Sequence, residues 1–354
     1  MKITPTEEQA LLAQSVTRFL ADRYGDDARR ASEAMPDGFD HSVWTAIADL
    51  GWLGAAVGEA AGGFGGPREM AIVAEGVGSA MMAEPVIPAC LALAILEAAD
   101  PQSALLPALL GGERMACGLV AEMGEGLAVA GANGARTVTG RFRAVPGGAA
   151  ADAFVLALPD LACVLDASAK GVTVSGYRGM DGRRHAEISL DGVAVGADAV
   201  LCEGEAAARL AARAGLLHAM AVTAEAGGLA GRLFADTLAY AGQREQFGQP
   251  IGRFQALQHR LADMYVAVEE IRSLALAMTR GAEDGGAPGR AVSQAVVGAV
   301  DRALHVAKEA IQLHGGVGMT EDLPLGAGLR RVKVLQLMPG GAEDHRGRLM
   351  TSND

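Results

Sequence analysis

A cation, an aromatic ring and several side-chain amides fall together in the segment Arg244 to His259, which reads Arg-Glu-Gln-Phe-Gly-Gln-Pro-Ile-Gly-Arg-Phe-Gln-Ala-Leu-Gln-His. Arg244 is a planar, permanently charged donor that can hold a phosphate through two parallel hydrogen bonds. Phe247 offers a face to a flat ring, and Gln255 an amide that both donates and accepts. The set suits a ligand with phosphates and a flat ring. The competing reading of Arg244 is a surface ion pair with Glu245 or Asp236, and that of Phe247 is ordinary core. A second run, Gln312-Leu313-His314-Gly315-Gly316, ends a helical pattern on two glycines, where backbone can come close to a ligand. A helix C-cap alone would also explain these glycines. His314 has no partner motif and reads as structural rather than metal-binding.

Other candidates are weaker. The glycine-rich turn Gly58 to Gly66 follows a helix rather than a strand, so it reads as a connection and not a phosphate cradle. Cys90, Cys117, Cys163 and Cys202 are far apart with no C-x-x-C spacing. That argues against a metal site or disulfide framework and suits a reducing cytoplasm.

The elements that must position these residues come in three stretches. The first reads helical. Thr4-Pro5-Thr6-Glu7 has the form of a capping box with Thr4 as cap, and Leu11, Leu12, Val16, Phe19 and Leu20 follow at helical spacing. Trp44 to Leu53 and Met70 to Met82 give further helices. From Cys117 to about Leu201 short strands are expected at 135–140, 153–158, 171–175 and 186–190, bounded by Gly, Pro, Asp and Asn. Helices then return over 206–242. Leu261, Met264, Val268, Ile271, Ala275 and Met278 form one apolar stripe, and Val297, Val300, Leu304, Ala307 and Ile311 another. The expected fold class is α+β, mainly α: a helical domain over 1–115, a small β domain or barrel over 116–203, and a four-helix bundle over 204–354.

The chain has 354 residues, half of them hydrophobic but only 4% aromatic, so its ample core must be built of Ala, Leu and Val with Met as filler. A formal charge of −12 argues against nucleic acid as partner. The N-terminus shows no hydrophobic signal region, and the apolar stretch Val86 to Leu96 is too short to span a membrane.

The Arg244 segment, the run Trp52-Leu53-Gly54…Gly62-Gly63-Phe64-Gly65 and the run Gln312 to Thr320 together resemble the acyl-CoA dehydrogenase family in order and spacing. The helix, strand and helix thirds match that family's layout over nearly the whole chain. The resemblance implies FAD as cofactor and an acyl-CoA as substrate. It implies that Arg244 reaches the flavin pyrophosphate across a subunit interface, that Phe247 and Gln255 face the adenine half, and that Gln312, Leu313, His314, Gly315 and Gly316 meet the adenosine-pyrophosphate portion of a neighbouring subunit's FAD.

Elsewhere the chain departs from the family. Where the family carries Thr-Glu-Pro followed by Gly and Ser, Val120 to Gly126 has Ala121 at the Thr position. Where an aromatic followed by Thr or Ser and Asn is usual, Phe142-Arg143-Ala144-Val145-Pro146-Gly147-Gly148 stands. Both family elements hydrogen-bond the flavin ring through groups missing here. The run Arg330 to Arg346 aligns without gaps and places Pro339 where most members have the catalytic Glu. A minority carry that Glu early in the long helix, and the corresponding residue is His218, read here as a surface or satisfied histidine. Glu343 could act only after a backbone shift. No residue is therefore assigned as catalytic.

Three functions follow as expectations. The favoured one is a partner subunit that lends its Arg244 surface to a homologous Glu-bearing subunit, as in family members that form heterotetramers in steroid side-chain shortening. The second is a homo-oligomeric dehydrogenase using His218 or Glu343 as an unorthodox base. The third is a branch of the fold in which reduced flavin activates oxygen, which nothing in the chain specifies.

Overall fold

Thr6, not Thr4, caps the first helix. In the computed structural model, which describes residues 4–132 and 135–351, the Thr6 hydroxyl accepts from the Gln9 N–H and the Gln9 side chain accepts from the Thr6 N–H. Thr6 wins because Gln9 also donates to Glu69 on a later helix, 2.8 Å away, a contact that fixes the register from outside the segment. Helix α1 spans Glu7–Arg23 and buries Leu12, Val16, Phe19 and Leu20, while Leu11 stays exposed. Helices α2 (Asp26–Ala34) and α3 (His41–Asp49) follow. The helix expected to reach Leu53 stops early because Gly51 turns left-handed, and Leu53–Ala56 form a separate 3-10 turn. The glycine-rich turn leads to α4 (Pro67–Ala80), then α5 (Val86–Ala99) and α6 (Leu106–Leu110).

The middle of the chain forms two four-stranded sheets rather than one closed barrel. Strands β1 (Ala116–Val120), β4 (Ala153–Ala157), β5 (Leu161–Asp166) and β8 (Val200–Glu203) lie side by side in that order, with the β1–β4 pair parallel. Strands β2 (Gly124–Ala132), β3 (Ala135–Pro146), β7 (Arg184–Val195) and β6 (Val172–Arg178) form the other, wholly antiparallel sheet. Strands β1 and β4 are buried throughout, as expected of strands covered on both faces.

Helix α7 runs from Gly204 to Gln243 and forms a bundle with α8 (Gln255–Glu283), α9 (Gly289–His314) and α10 (Leu325–Leu337); α11 (Ala342–Thr351) packs on α9. The buried line of α9 runs through Val296, Val300, Ala303, Ala307 and Ala310, with Val297, Leu304 and Ile311 half-buried at its margin. Helices α4 and α7 cross so closely that a Cβ on Gly78 would lie 2.0 Å from the Glu225 carbonyl oxygen, and one on Gly228 1.8 Å from that of Glu75. The first and last helices therefore share one core rather than merely abutting. Among the described residues, no helix is long and apolar enough to cross a membrane.

Candidate functional site

Two separate surfaces carry the chemistry. The first lies at the end of α7. Arg244 caps that helix, its N–H bonding the Tyr240 carbonyl at 2.8 Å, and its carbonyl accepts from Ile251 at 2.8 Å. Between them the short strands β9 (Glu245–Gln246) and β10 (Gln249–Pro250) make a tight hairpin, with Phe247 and Gly248 both at positive φ. This geometry throws the Phe247 ring outward, 93% exposed, with only an edge contact to Phe254 at 6.2 Å. Phe247 is thus not core.

The expected alternative for Arg244 fails as well. Asp236 is taken by Arg232 at 2.7 Å, and among the described residues the Arg244 side chain has no ion pair or hydrogen bond. An exposed guanidinium and an exposed aromatic ring without internal partners are available to something outside the chain.

The Gln312 run joins the same surface through Tyr240 and His314. Their rings stack at 4.2 Å, and the Tyr240 hydroxyl donates to the His314 carbonyl at 3.4 Å. The His314 Nδ1 donates to the Ala310 carbonyl at 2.7 Å, a bond within its own helix. Leu313 and His314 are buried, whereas Gln312, Gly315 and Gly316 are exposed, as is Gln255 at the start of α8. Gly315 has φ +65 and open space where a Cβ would stand. The backbone here is approachable, so the outward groups of this set are Arg244, Phe247, Gln255, Gln312 and the two glycines.

The second surface is a cavity of about 530 Å³ where four runs converge: Glu122, Gly124 and Glu125 at and just before the start of β2, Arg143 and Ala144 in β3, Tyr177 to His185 across the β6–β7 turn, and Val334 and Leu337 of α10 with Met338, Pro339 and Asp344 after it. None of the Arg244 set lines it. Its wall carries an ion cluster that sequence reading missed. Glu125 accepts from Arg141 Nη2 at 2.7 Å and is also paired with Arg143. The hydrogen bond from Arg141, aided by Arg143, holds the Glu125 carboxyl below its usual range. Ala121 and Ala144 bring no side-chain hydrogen-bond group, and Pro339 brings neither an acceptor nor an N–H. A flavin ring needs donors and acceptors along its edge; Ala144 and Pro339 offer none, Glu125 and Arg143 are paired with each other, and the lining carboxylate of Glu122 keeps a buried Oε2 with no partner among the described residues. The residue types of the Arg244 surface suit phosphate and adenine groups such as those of FAD; in the Pro339 cavity, Ala144 and Pro339 bring no side-chain hydrogen-bonding group toward a ring.

His218 corrects an expectation. It is neither on the surface nor satisfied: it is buried, and its Nε2 has no partner among the described residues. Burial, with the nearby Arg348 charge, pushes its pKa down to about 4, so it is neutral at pH 7 and a weak proton acceptor. It sits against Gly340, whose φ of +72 keeps the backbone clear; a Cβ there would lie 3.0 Å from Nε2. Glu343 is exposed, accepts from Gln336 at 2.8 Å and lies 3.4 Å from Arg346, away from the cavity lining.

Behind the cavity is a buried ionic network. Arg331 on α10 donates to both oxygens of Glu225 on α7 at 2.8 Å each, and to Asp181 between β6 and β7 at 2.9 Å. Arg183 lies 3.0 Å from Glu225, and His185 lies 3.1 Å from Asp181. Burial alone would raise both carboxyls; the hydrogen bond from His185 and the charge of Arg331 hold Asp181 well below its usual range, and Arg331 with Arg183 does the same for Glu225. One signal in the chain could have pointed to it. Glu225 is the only Asp, Glu, Lys or Arg between Arg213 and Arg232.

The chain matches the family model described as acyl-CoA dehydrogenase, N-terminal domain, over residues 6–113, and the one described as acyl-CoA dehydrogenase, C-terminal domain, over 209–352. It is 30% identical to acyl-CoA dehydrogenase IpdE2 of Mycobacterium tuberculosis, over 90% of this chain and 88% of the relative. It is also 30% identical to acyl-CoA dehydrogenase FadE27 of the same organism, over 99% and 98%. Among solved structures it resembles the ChsE4-ChsE5 complex from Mycobacterium tuberculosis, with TM-score 0.86 and 28% identity over the full length of both chains. The Tcur3481-Tcur3483 steroid ACAD matches with TM-score 0.87 and 27% identity over 97% of each chain.

Proposed function

We propose, from the premise that this chain belongs to the acyl-CoA dehydrogenase family, that it is the subunit which completes the flavin site of a homologous, Glu-bearing partner while its own ring pocket is inert. Membership makes it part of an FAD-dependent oxidoreductase acting on CH–CH bonds of an acyl-CoA. FAD, when bound, supplies the acceptor for the hydride leaving the β carbon. The chain's own contribution is to bind and orient: Arg244 toward the phosphates, Phe247 and Gln255 toward the adenine, and Gln312 with the Gly315–Gly316 backbone beside them. One of the solved structures it resembles is the ChsE4-ChsE5 complex, which supports a heteromeric assembly.

The observation that carries this reading is Pro339 in the wall of a cavity where the three runs that depart from the family meet. Taking the α proton needs a carboxylate within hydrogen-bond reach of the α carbon, and that help is worth about 10²–10⁴-fold in rate. Proline cannot give it. A homo-oligomeric enzyme with an unorthodox base is the second reading, favoured only by the unpartnered Nε2 of His218, and the low basicity of that ring weighs against it.

Purification of the chain alone and co-expressed with a Glu-bearing homologue tests the choice. Little flavin and no acyl-CoA-dependent bleaching are expected alone, with one flavin per pair of unlike subunits in the complex. One flavin per chain and rapid bleaching by the unmodified chain alone would refute the proposal.

A further inference from the structure

Beside the Pro339 cavity lies a second, more enclosed one of about 40 Å³, which shares Ala144, Met338 and Pro339 with the first. Most of its lining is apolar, from Val77, Leu91 and Val222 among others. Yet three of its residues each hold a buried polar atom with no partner among the described residues: Glu84 Oε2, Arg183 Nη2 and His218 Nε2. Their side chains are otherwise engaged or enclosed. Glu84 Oε1 accepts from the Asp40 N–H at 3.3 Å, Arg183 Nη1 is 3.0 Å from Glu225, and all three residues are more than nine-tenths buried.

We infer that this chamber is a water site, holding two or three ordered molecules that bridge Glu84, Arg183 and His218, and that it takes small hydrogen-bonding solutes and not an alkyl chain. The volume suits that number, since each water needs roughly 10–15 Å³ of such space and two to four polar partners. The charges agree. Arg183 and Arg331 face Glu225 and Asp181, two against two, burial raises the Glu84 carboxyl toward its neutral form, and His218 is uncharged at pH 7. A neutral occupant is matched and a lone ion is not. An alkyl tail would fill the space but leave three buried polar atoms unmet, the costly outcome for groups already out of water.

The consequence concerns substrate class and rests on the partner-subunit reading above. The base position is the place from which an α carbon is reached, so the tail of a thioester presented there would extend toward whatever enclosed space adjoins Pro339. In this chain that space, though walled mostly by apolar side chains, holds three buried polar atoms that an alkyl chain would leave unmet. It would reject the tail even where the thioester head was held.

A crystal structure of the full chain, at a resolution that shows ordered water, tests the inference directly. Density for two or three waters within hydrogen-bond distance of Glu84, Arg183 and His218 is expected, and a xenon-pressurised crystal should show no xenon there, because dry apolar cavities take that gas. A xenon peak, or a chamber empty of density, would overturn it. In solution, CoA and hexanoyl-CoA should bind the chain within about twofold of each other. Each methylene buried in an apolar chamber would instead add about fourfold, so a tail-dependent gain of tenfold or more also overturns the inference. Flavin stoichiometry of the same preparation judges the partner-subunit reading separately, since neither result there changes what the density shows.

Discussion

Removing Arg331 takes the central cation from the network that ties three parts of the chain together. Its guanidinium makes three charge-assisted hydrogen bonds to two carboxylates, Glu225 and Asp181, all of them buried. In Arg331→Met each carboxylate keeps one partner, Arg183 or His185, so neither is wholly orphaned. Breaking a buried pair from one side costs about 3–5 kcal/mol when nothing remains, which puts this variant near the lower end, at about 3 kcal/mol. Arg331→Lys keeps the charge but offers a single point where a fork served two acceptors, so it should lose about half as much. The assay is urea denaturation at pH 7 and constant protein concentration, with the midpoint shift read at unchanged slope. The companion Glu225→Gln closes a double-mutant cycle, whose coupling should be at least about 1 kcal/mol for groups in direct contact. If Arg331→Met stays within about 0.5 kcal/mol of the parent, the network is not a stabilising tie and the reasoning fails. The same helix ends at Leu337, just before Met338 and Pro339, so a Met variant that folds should also show an altered wall at the Pro339 cavity.

In the assembled protein, Arg244→Ala should lower flavin affinity about ten- to a hundredfold, the loss of one charge-assisted phosphate contact; unchanged flavin content after dilution would remove Arg244 from the ligand set. Stability should fall with acid below about pH 6.5. His218 has its folded pKa below its unfolded one, so the stability it carries is present above 6.5 and lost as pH falls through about 4; that interval, at about 1.4 kcal/mol per pH unit, amounts to about 3 kcal/mol, and His345, also pushed down to about 4, acts in the same direction. Urea midpoints that are flat between pH 7 and 5 would contradict it. Pro339→Glu alone should not restore acyl-CoA-dependent flavin reduction, because the ring pocket still carries the Glu125–Arg143 pair, whereas co-expression with a Glu-bearing homologue should; full activity from the single variant would show that the base was the sole deficit.

What the chain revealed by itself follows the sequence distance over which each feature is specified. The stripe Leu261, Met264, Val268, Ile271, Ala275 and Met278 is written within one helix, and all of it is buried except Ala275, which is half-buried. The Arg244 hairpin and the Gln312 run are contiguous segments too, so their residue types could be read as an exposed ligand surface before any coordinates. The start of α1 was misplaced by two residues because Thr4-Pro5-Thr6-Glu7 and Thr6-Glu7-Glu8-Gln9 satisfy one local rule equally well, and a contact to Glu69, 60 residues away, decides between them. The end of α3 was overrun because an apolar pattern continues through Gly51 while the backbone does not. Arg331 meets partners 106 and 150 residues distant, a pairing no local pattern specifies.

The same distinction bears on function. A ligand surface that serves another subunit need only be exposed and locally well formed, and Arg244 and Phe247 meet both conditions with no internal partner to satisfy. A working ring pocket must bring polar groups from β2, β3 and α10 to one place. Those three runs do meet at Pro339, so the fold still builds the pocket's frame. At Ala144 and Pro339 the frame offers side chains without a hydrogen-bonding group, and of its charged members Glu125 and Arg143 are paired with each other while Glu122 keeps a buried oxygen without a partner among the described residues. On the proposed reading a lending subunit keeps this frame for a structural reason: through α10 it packs against α7 and α9, the helices that end in the Arg244 and Gln312 runs.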